Sequence, residues 1–523
     1  MKKNIILIII ILFLLSMVVH FLPVWKKGYS FSPMGGDLIL ARNLALTGQY
    51  KVESENNIVL SSERIQDKGI PCNWGNKLTS LIYGQIFKVF GFHQDLPLYI
   101  SLILWALTGS LLFLLVLKLF NLKLAVIFGL IDIFVPVLTQ GSLMSGFYEW
   151  AMLFFVIGLL FYLYKKETGK INLILASFFF GLAALARNAF LVSFIPFVIY
   201  DFWKNRSWKR VIIFVLPFIL LWSIYLIPDY IQGTPNAYLS SNDTSFGVYG
   251  HLFPDPYTFH FEKDEYIQSI TGTSHYTFSQ FLLKYDYSVS FKNKLIMYFA
   301  SIKFYPKEFS KLIITGGPLI ILFLIAGLMY LYRKKRFLFN LFIIWGVVWY
   351  MLLVILKTNN WDHFLELRFP IVLLISIGIY WLIDFILNLS IQERFKYLII
   401  LVLSFSLFLH FVQANKWMFH EEYDTSKIEI IMQMAKNINQ KQLDKQNDVI
   451  AVSIHPSILQ ALNYYTDLNI IYFDLDTVEK LLDQDKLSWA FEQFGVTKII
   501  GFNSNLSQEI IEQTGIENII SLE

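Results

Sequence analysis

The sequence predicts a mainly α-helical, polytopic membrane bundle followed by a small C-terminal α/β domain. Three observations carry that reading. Of the 523 residues 56% are hydrophobic and only 16% charged, against roughly 25% charge in a soluble domain, and mean hydropathy is +0.53. Apolar runs long enough to cross a bilayer recur as far as residue 413. Beyond residue 414 the composition changes to short β-branched runs separated by helical stretches.

About eleven spans are expected, near 5–25, 97–118, 122–140, 149–164, 171–187, 189–203, 209–228, 312–333, 336–356, 369–388 and 395–413. The start, MKKNIILIIIILFLLSMVVHFLPVW, has the basic n-region of a signal sequence. Its apolar run is long and no A-x-A-like site ends it, so it reads as an uncleaved anchor. The connectors KKETGK (165–170), KNRSWKR (204–210), RKKR (333–336) and QERFK (392–396) fall on one side with Lys2 and Lys3. The opposite connectors carry little beyond Arg187, Lys357 and Arg368. The positive-inside rule then puts the N-terminus in the cytoplasm and, with an odd number of spans, the C-terminal domain outside the cytoplasmic membrane. The net charge of +4 sits in connectors and gives no reason to expect nucleic acid as a partner. A lone Cys72 excludes an internal disulfide and a cysteine-rich metal site.

Four segments are expected outside. The first loop, about 26–96, contains a short amphipathic helix stopped by Gly48 and a second, NKLTSLIYGQIFKVFG (76–91), read as interfacial. A tight turn, GSLMSGFYE (141–149), follows the third span. A large aromatic loop, about 229–311, carries His251, His260 and His275 without metal-ligand spacing, and ends in a further candidate interfacial helix (292–309). In the tail, 414–523, NDVIAVSI, NIIYFDL and VTKIIGF read as buried parallel strands, and TVEKLLDQDKLSWAFEQF (477–494) as helical.

The candidate chemistry lies at the outer span ends. Asp37, in GGD, reads as a helix N-cap or as a catalytic base, and the two roles are compatible because a cap holds the carboxylate still. Glu149, in SGFYEWAML, stands at a helix N-terminus, where an acid complements the dipole; it is also placed to orient an acceptor or hold a metal. Arg187, Arg368 and Lys77 are cations at membrane depth. Snorkelling explains each singly, whereas together they suit a lipid phosphate, whose oxygens match the arginine fork. Arg42, one turn beyond Asp37, is expected to be a structural partner of it. Asp132, mid-span, is either a functional acid or one bonded to a neighbouring helix. His363 stays a candidate on the same face, and Asp384 lies toward the inner end of its span.

These motifs resemble the GT-C glycosyltransferases, especially bacterial relatives of the protein O-mannosyltransferases and of the aminoarabinose transferase acting on lipid A. GGDLILARNLALTGQY aligns Asp37 with the acid that follows the family's first span, although Gly36 stands where many members have a second acid beside it. SGFYEWAML and GLAALARNAF align Glu149 and Arg187, and LRFPIVLLISIGIYWL aligns Arg368 and Pro370, with the late arginine–aromatic–proline span. The strip GNKLTS replaces the family's KPPL ahead of the FG ending at Phe90-Gly91, which brings Lys77 to the position of the family lysine.

The resemblance implies transfer of a sugar from a polyprenyl-phosphate donor to an acceptor hydroxyl outside the membrane, on an envelope lipid, glycan or protein, with inversion. Asp37 is then the base, Glu149 orients the acceptor or holds a divalent Mg or Mn ion, and Arg187, Arg368 and Lys77 bind the donor phosphate. No cofactor is otherwise implied. Two other classes fit the composition: a polytopic lipid or solute transporter, which would show charges at mid-membrane depth, and a non-catalytic envelope-assembly protein that binds through its tail.

Overall fold

In the computed structural model the described residues are 2–27, 35–49, 51, 61–64, 77–135, 148–163, 169–187, 189–231, 258–259, 302–303, 306, 318–355, 361–414, 425–441, 443–453, 459–473, 475–500 and 504–520. Along the chain the first helices are α1 (Lys2–Lys27), α2 (Gly35–Thr47), α3 (Lys77–Phe90), α4 (Leu96–Leu119), α5 (Leu122–Phe134) and α6 (Glu149–Leu163). They are followed by α7 (Lys170–Ala186), α8 (Ala189–Asn205) and α9 (Trp208–Ile231). After strand β1 (Thr258–Phe259) come α10 (Pro318–Lys334), α11 (Arg336–Ile355), α12 (Arg368–Leu387) and α13 (Glu393–Ala414).

Two compact units result. One holds 1–30, 97–233 and 292–423; the other holds 31–96, 234–291 and 424–523. The expectation drew one boundary at 413–414, whereas the structure also groups the first loop and the 234–291 segment with the tail.

The first unit is a helix bundle. The described part of each apolar segment singled out as a span lies on one helix, α1 and α4 to α13. Among the described residues, four stretches are long and apolar enough to cross a membrane: Lys3–Leu22, Leu96–Leu119, Arg336–Val354 and Phe364–Leu387. The chain is a multi-pass membrane protein. Large apolar side chains point outward, as lipid contact requires: Ile6, Leu7, Leu14 and Val18 on α1, and Leu401, Val402 and Phe405 on α13, are all exposed. Backbone groups in such an environment can be satisfied only within the helix itself. Inside, helices approach through small residues. A Cβ at Gly327 (α10) would run into the backbone of Leu374, and one at Gly378 (α12) into the backbone of Phe323, so α10 and α12 cross through a reciprocal glycine contact. Elsewhere aromatic rings fill the core, with Phe155, Phe180, Phe197 and Trp345 in mutual contact.

The second unit is α/β. Its tail runs α14 (Thr425–Asn439), β2 (Val449–Val452), α15 (Leu459–Thr466), β3 (Asn469–Phe473), α16 (Leu475–Asp483), α17 (Leu487–Phe494), β4 (Lys498–Ile500), α18 (Ser504–Thr514) and β5 (Glu517–Ile520). The strands form one parallel sheet in the order β1-β3-β2-β4-β5. Val449, Ala451, Ile471, Phe473 and Ile499 pack against Val478, Leu481, Phe491 and Ile510 of the covering helices. Burial of the strands within the unit explains why they read as unbroken apolar runs. The stretch 477–494, expected to be helical, breaks near Asp485, whose φ of +53° ends α16 and lets α17 begin.

The first-loop helices belong to this unit. Gly48 ends α2 with φ +73°, a conformation that favours glycine, and its N–H donates to the Leu44 carbonyl at 3.0 Å. The expected amphipathic character of α2 is corrected, since Leu38, Ile39, Leu40, Ala41, Arg42 and Asn43 are all buried. Its one charged side chain past the first turn is therefore an internal group. By contrast α3 is two-faced, with Tyr83 and Phe87 buried and Val89 and Phe90 exposed.

Candidate functional site

Among the described residues, three polar clusters of the bundle hold or adjoin the expected site residues. In the first, Arg368, the first residue of α12, is 2% exposed and forks onto Asp132 of α5, itself 2% exposed. Nε donates to Oδ1 at 2.8 Å and Nη2 to Oδ2 at 2.5 Å. The guanidinium lies 4.4 Å from the ring centroid of Trp105 on α4, a cation–π contact in a water-poor setting. Gly109, one helical turn along, leaves room for the pair: a Cβ there would stand 2.8 Å from Asp132 Oδ2 and 3.3 Å from Arg368 Nη2. Asp132 is thus bonded to a neighbouring helix, through Arg368. Two donors in this cluster, Arg368 Nη1 and Trp105 Nε1, are buried without a hydrogen-bond partner among the described residues. Leaving such a donor unsatisfied costs about 1–3 kcal/mol. On α1, His20 Nε2–H donates to the Ile133 carbonyl (3.3 Å), beside Asp132 in sequence.

The second cluster joins two of the expected residues. Glu149 opens α6 and is 1% exposed; its Oε2 accepts the Tyr148 N–H at 3.1 Å. Arg187 caps α7 in an extended conformation, where a cation meets the negative end of the helix dipole. Its guanidinium lies 4.9 Å from the centroid of the Tyr148 ring. Glu149 and Arg187 therefore meet at Tyr148, which the sequence reading did not single out. In the third cluster the carboxylate of Glu366, 1% exposed, accepts from Ser193 Oγ–H and Trp349 Nε1–H, both at 3.2 Å. Glu366 was also missed, although it stands two residues before Arg368 in the same motif.

In the α/β unit, Asp37 is the third residue of α2 and Lys77 the first of α3. Their side chains lie outside the described residues, as do His251, His260, His275, most of the expected 292–309 helix, residues 141–147 of the expected turn and the side chain of His363. Arg42 is fully buried and bonds Asn463, Asp467 and Asn43. Whether it also partners Asp37, as expected, lies outside the described residues. Among the described residues, no three His, Cys, Asp or Glu side chains come together as metal ligands.

The sequence matches no family model and no curated protein. The fold, however, matches solved structures. The oligosaccharyltransferase of Archaeoglobus fulgidus, in its complex with zinc and sulfate, superposes with a TM-score of 0.52 and 12% identity over 94% of this chain and 67% of that one. The same enzyme tethered to an acceptor peptide containing the NVT sequon gives 0.51 and 11% over 98% and 68%. In fold, the chain resembles this oligosaccharyltransferase. ArnT from Cupriavidus metallidurans, bound to undecaprenyl phosphate, aligns at a TM-score of 0.46 and 11% identity over 98% of this chain and 89% of that one. In this chain Glu149, Arg187, Asp132 and Arg368 lie in the helical bundle, and Asp37 and Lys77 on the helices of the first loop.

Proposed function

We propose that this chain is an integral membrane glycosyltransferase that moves a sugar from a polyprenyl-phosphate donor to an acceptor hydroxyl on the outer face of the cytoplasmic membrane. The observation that carries the reading is the fold likeness to the oligosaccharyltransferase over nearly the whole chain. In the proposed reaction the Asp37 carboxylate takes the acceptor's O–H proton as the oxygen bonds to the anomeric carbon. The bond from that carbon to the phosphate oxygen breaks on the opposite face, and the lipid phosphate leaves with the electron pair, inverting the centre. Arg187, Arg368 and Lys77 stabilise the charge that grows on it, the kind of electrostatic assistance that dominates such catalysis. Glu149 orients the acceptor.

The buried Arg368 supports its part of this reading. Asp132 holds two of its nitrogens and leaves Nη1 as a donor in place for a phosphate oxygen. The transporter alternative leaned on Asp132 as a mid-membrane charge, and that charge is occupied by Arg368. Mass spectrometry of lipid-linked sugars and envelope glycans in a deletion strain tests the proposal. Accumulation of one polyprenyl-phosphate sugar together with loss of one glycan decoration is the expected result. Unchanged pools of both would contradict it.

A further inference from the structure

We propose that Arg42 and Asp467 are positioning residues through which the C-terminal α/β domain holds the acid-bearing helix α2. The inference rests on the reading of Asp37 as the base, and gives the tail a place in that reaction.

Arg42 uses its whole fork. Nη1 donates to the Asn463 carbonyl at 2.6 Å, Nη2 donates to Asn463 Oδ1 at 3.1 Å, and Nη2 pairs with Asp467 Oδ1 at 3.2 Å. Nε and Nη2 also reach Asn43 Oδ1 at 3.3 and 3.1 Å, which stiffens the side chain against its own helix. The Asn463 carbonyl lies in the last turn of α15 and also accepts the Asp467 N–H at 2.7 Å. Arg42 therefore caps a helix C-terminus, where a cation is favoured. Asp467, with φ +55°, turns the chain out of α15. Its carboxylate takes the Ser62 N–H (2.7 Å) and Oγ–H (2.6 Å), and Lys445 Nζ at 3.2 Å. One carboxylate thus ties together α2, the 61–64 turn and the loop before β2.

A second tie lies beside it. Gln94 Nε2–H donates to the Tyr465 carbonyl at 2.8 Å, Tyr464 O–H donates to the Gln94 carbonyl at 3.2 Å, and Phe92 stands edge-on to Tyr464 at 5.4 Å. The exit of α3 is fastened to the same helix, α15, as α2.

The chemistry suits positioning better than mere adhesion. Apolar packing of equal volume holds two surfaces together as well as a buried ion pair does, and often better. What the fork adds is a fixed direction, because its donors match their acceptors in only one pose. Asp37 precedes Arg42 by five residues on one helix, about 7.5 Å along the axis, so a shift at Arg42 passes to the backbone of Asp37. Lysine, a point charge, cannot reproduce the fork.

The test uses the full chain in nanodiscs, with lipid-linked sugar extracted from a deletion strain as the donor probe and membranes of that strain as acceptor. Arg42→Lys is expected to insert normally and to raise amide exchange across 38–47 roughly tenfold or more, with α4 to α13 unchanged. Transfer is expected to fall roughly tenfold to a hundredfold, as for a misplaced catalytic group, and the acid limb of the pH–rate profile to move. If Arg42→Lys fails to insert, Asp467→Asn, which keeps side-chain size, reads the same quantities. Unchanged exchange and transfer in these variants, while Asp37→Asn abolishes transfer, would overturn the positioning role and leave the base intact. A profile merely scaled down, with exchange raised throughout the protein, would overturn it too. Full transfer by Asp37→Asn would instead remove the base, and the proposal with it, whatever the exchange shows.

Discussion

Arg42 and Asp467, 425 residues apart in sequence, form an ion pair at 3.2 Å in which the arginine is wholly buried and the aspartate is 13% exposed. The pair joins the first loop to the tail within one unit, so its energetics govern how firmly the Asp37 helix is held. Breaking a buried pair by removing one partner leaves an uncompensated charge and costs about 3–5 kcal/mol. Arg42→Ala and Asp467→Ala should each destabilise the α/β unit by that order, measured as denaturant resistance of the tail. Loss of less than about 1 kcal/mol, the worth of a surface pair, would show the site to be solvent-screened.

The same pair sets a pH dependence. Burial alone would raise the Asp467 pKa, but Arg42, the Ser62 donors and Lys445 outweigh it and hold the carboxyl below the ordinary carboxylate value. A depressed folded pKa stabilises above the unfolded value, about 3.9, and that contribution disappears as pH falls through the folded one. The melting-temperature gap between the wild type and Asp467→Asn should stay constant from neutral pH to about pH 5 and shrink in more acid solution. A gap that widens on acidification would contradict the assignment.

In the bundle, Asp132→Ala alone should cost about 3–5 kcal/mol by stranding Arg368. Pairing Asp132→Leu with Arg368→Met removes both charges and should recover most of that stability in thermal denaturation. If Arg368 also serves the donor phosphate, the double variant folds yet transfers no sugar. Normal transfer by the double variant would reduce the pair to a structural strut.

The crossing of α10 and α12 offers a separate check. Gly378→Leu forces a side chain against the Phe323 backbone and should cost about 1–3 kcal/mol or more, the usual range for overpacking. A melting temperature within error of the wild type would mean that the helices do not approach so closely.

Much of the fold was legible because its signals are local. Apolar length announced α1 and α4 to α13, unbroken β-branched runs announced β2, β3 and β4, and Gly48 announced the end of α2. What escaped depended on distant partners. Nothing near Arg42 in sequence points to Asp467 or Asn463, and Asp132 gave no sign of Arg368. Strand β1, of two residues, is too short to stand out before a parallel neighbour pairs with it. Glu149 and Arg187 were expected only to share a face; the contact of Arg187 with the Tyr148 ring joins residues too far apart in sequence to be read from it.

The most direct test of the central claim is sugar transfer by Asp37→Asn in cells lacking the native protein, with insertion and melting temperature measured on the same sample. The account predicts a protein that inserts and melts like the wild type, transfer reduced roughly 10²–10⁴-fold as for loss of a general base, and accumulation of the polyprenyl-phosphate sugar. Full transfer by that normally folded variant would contradict it.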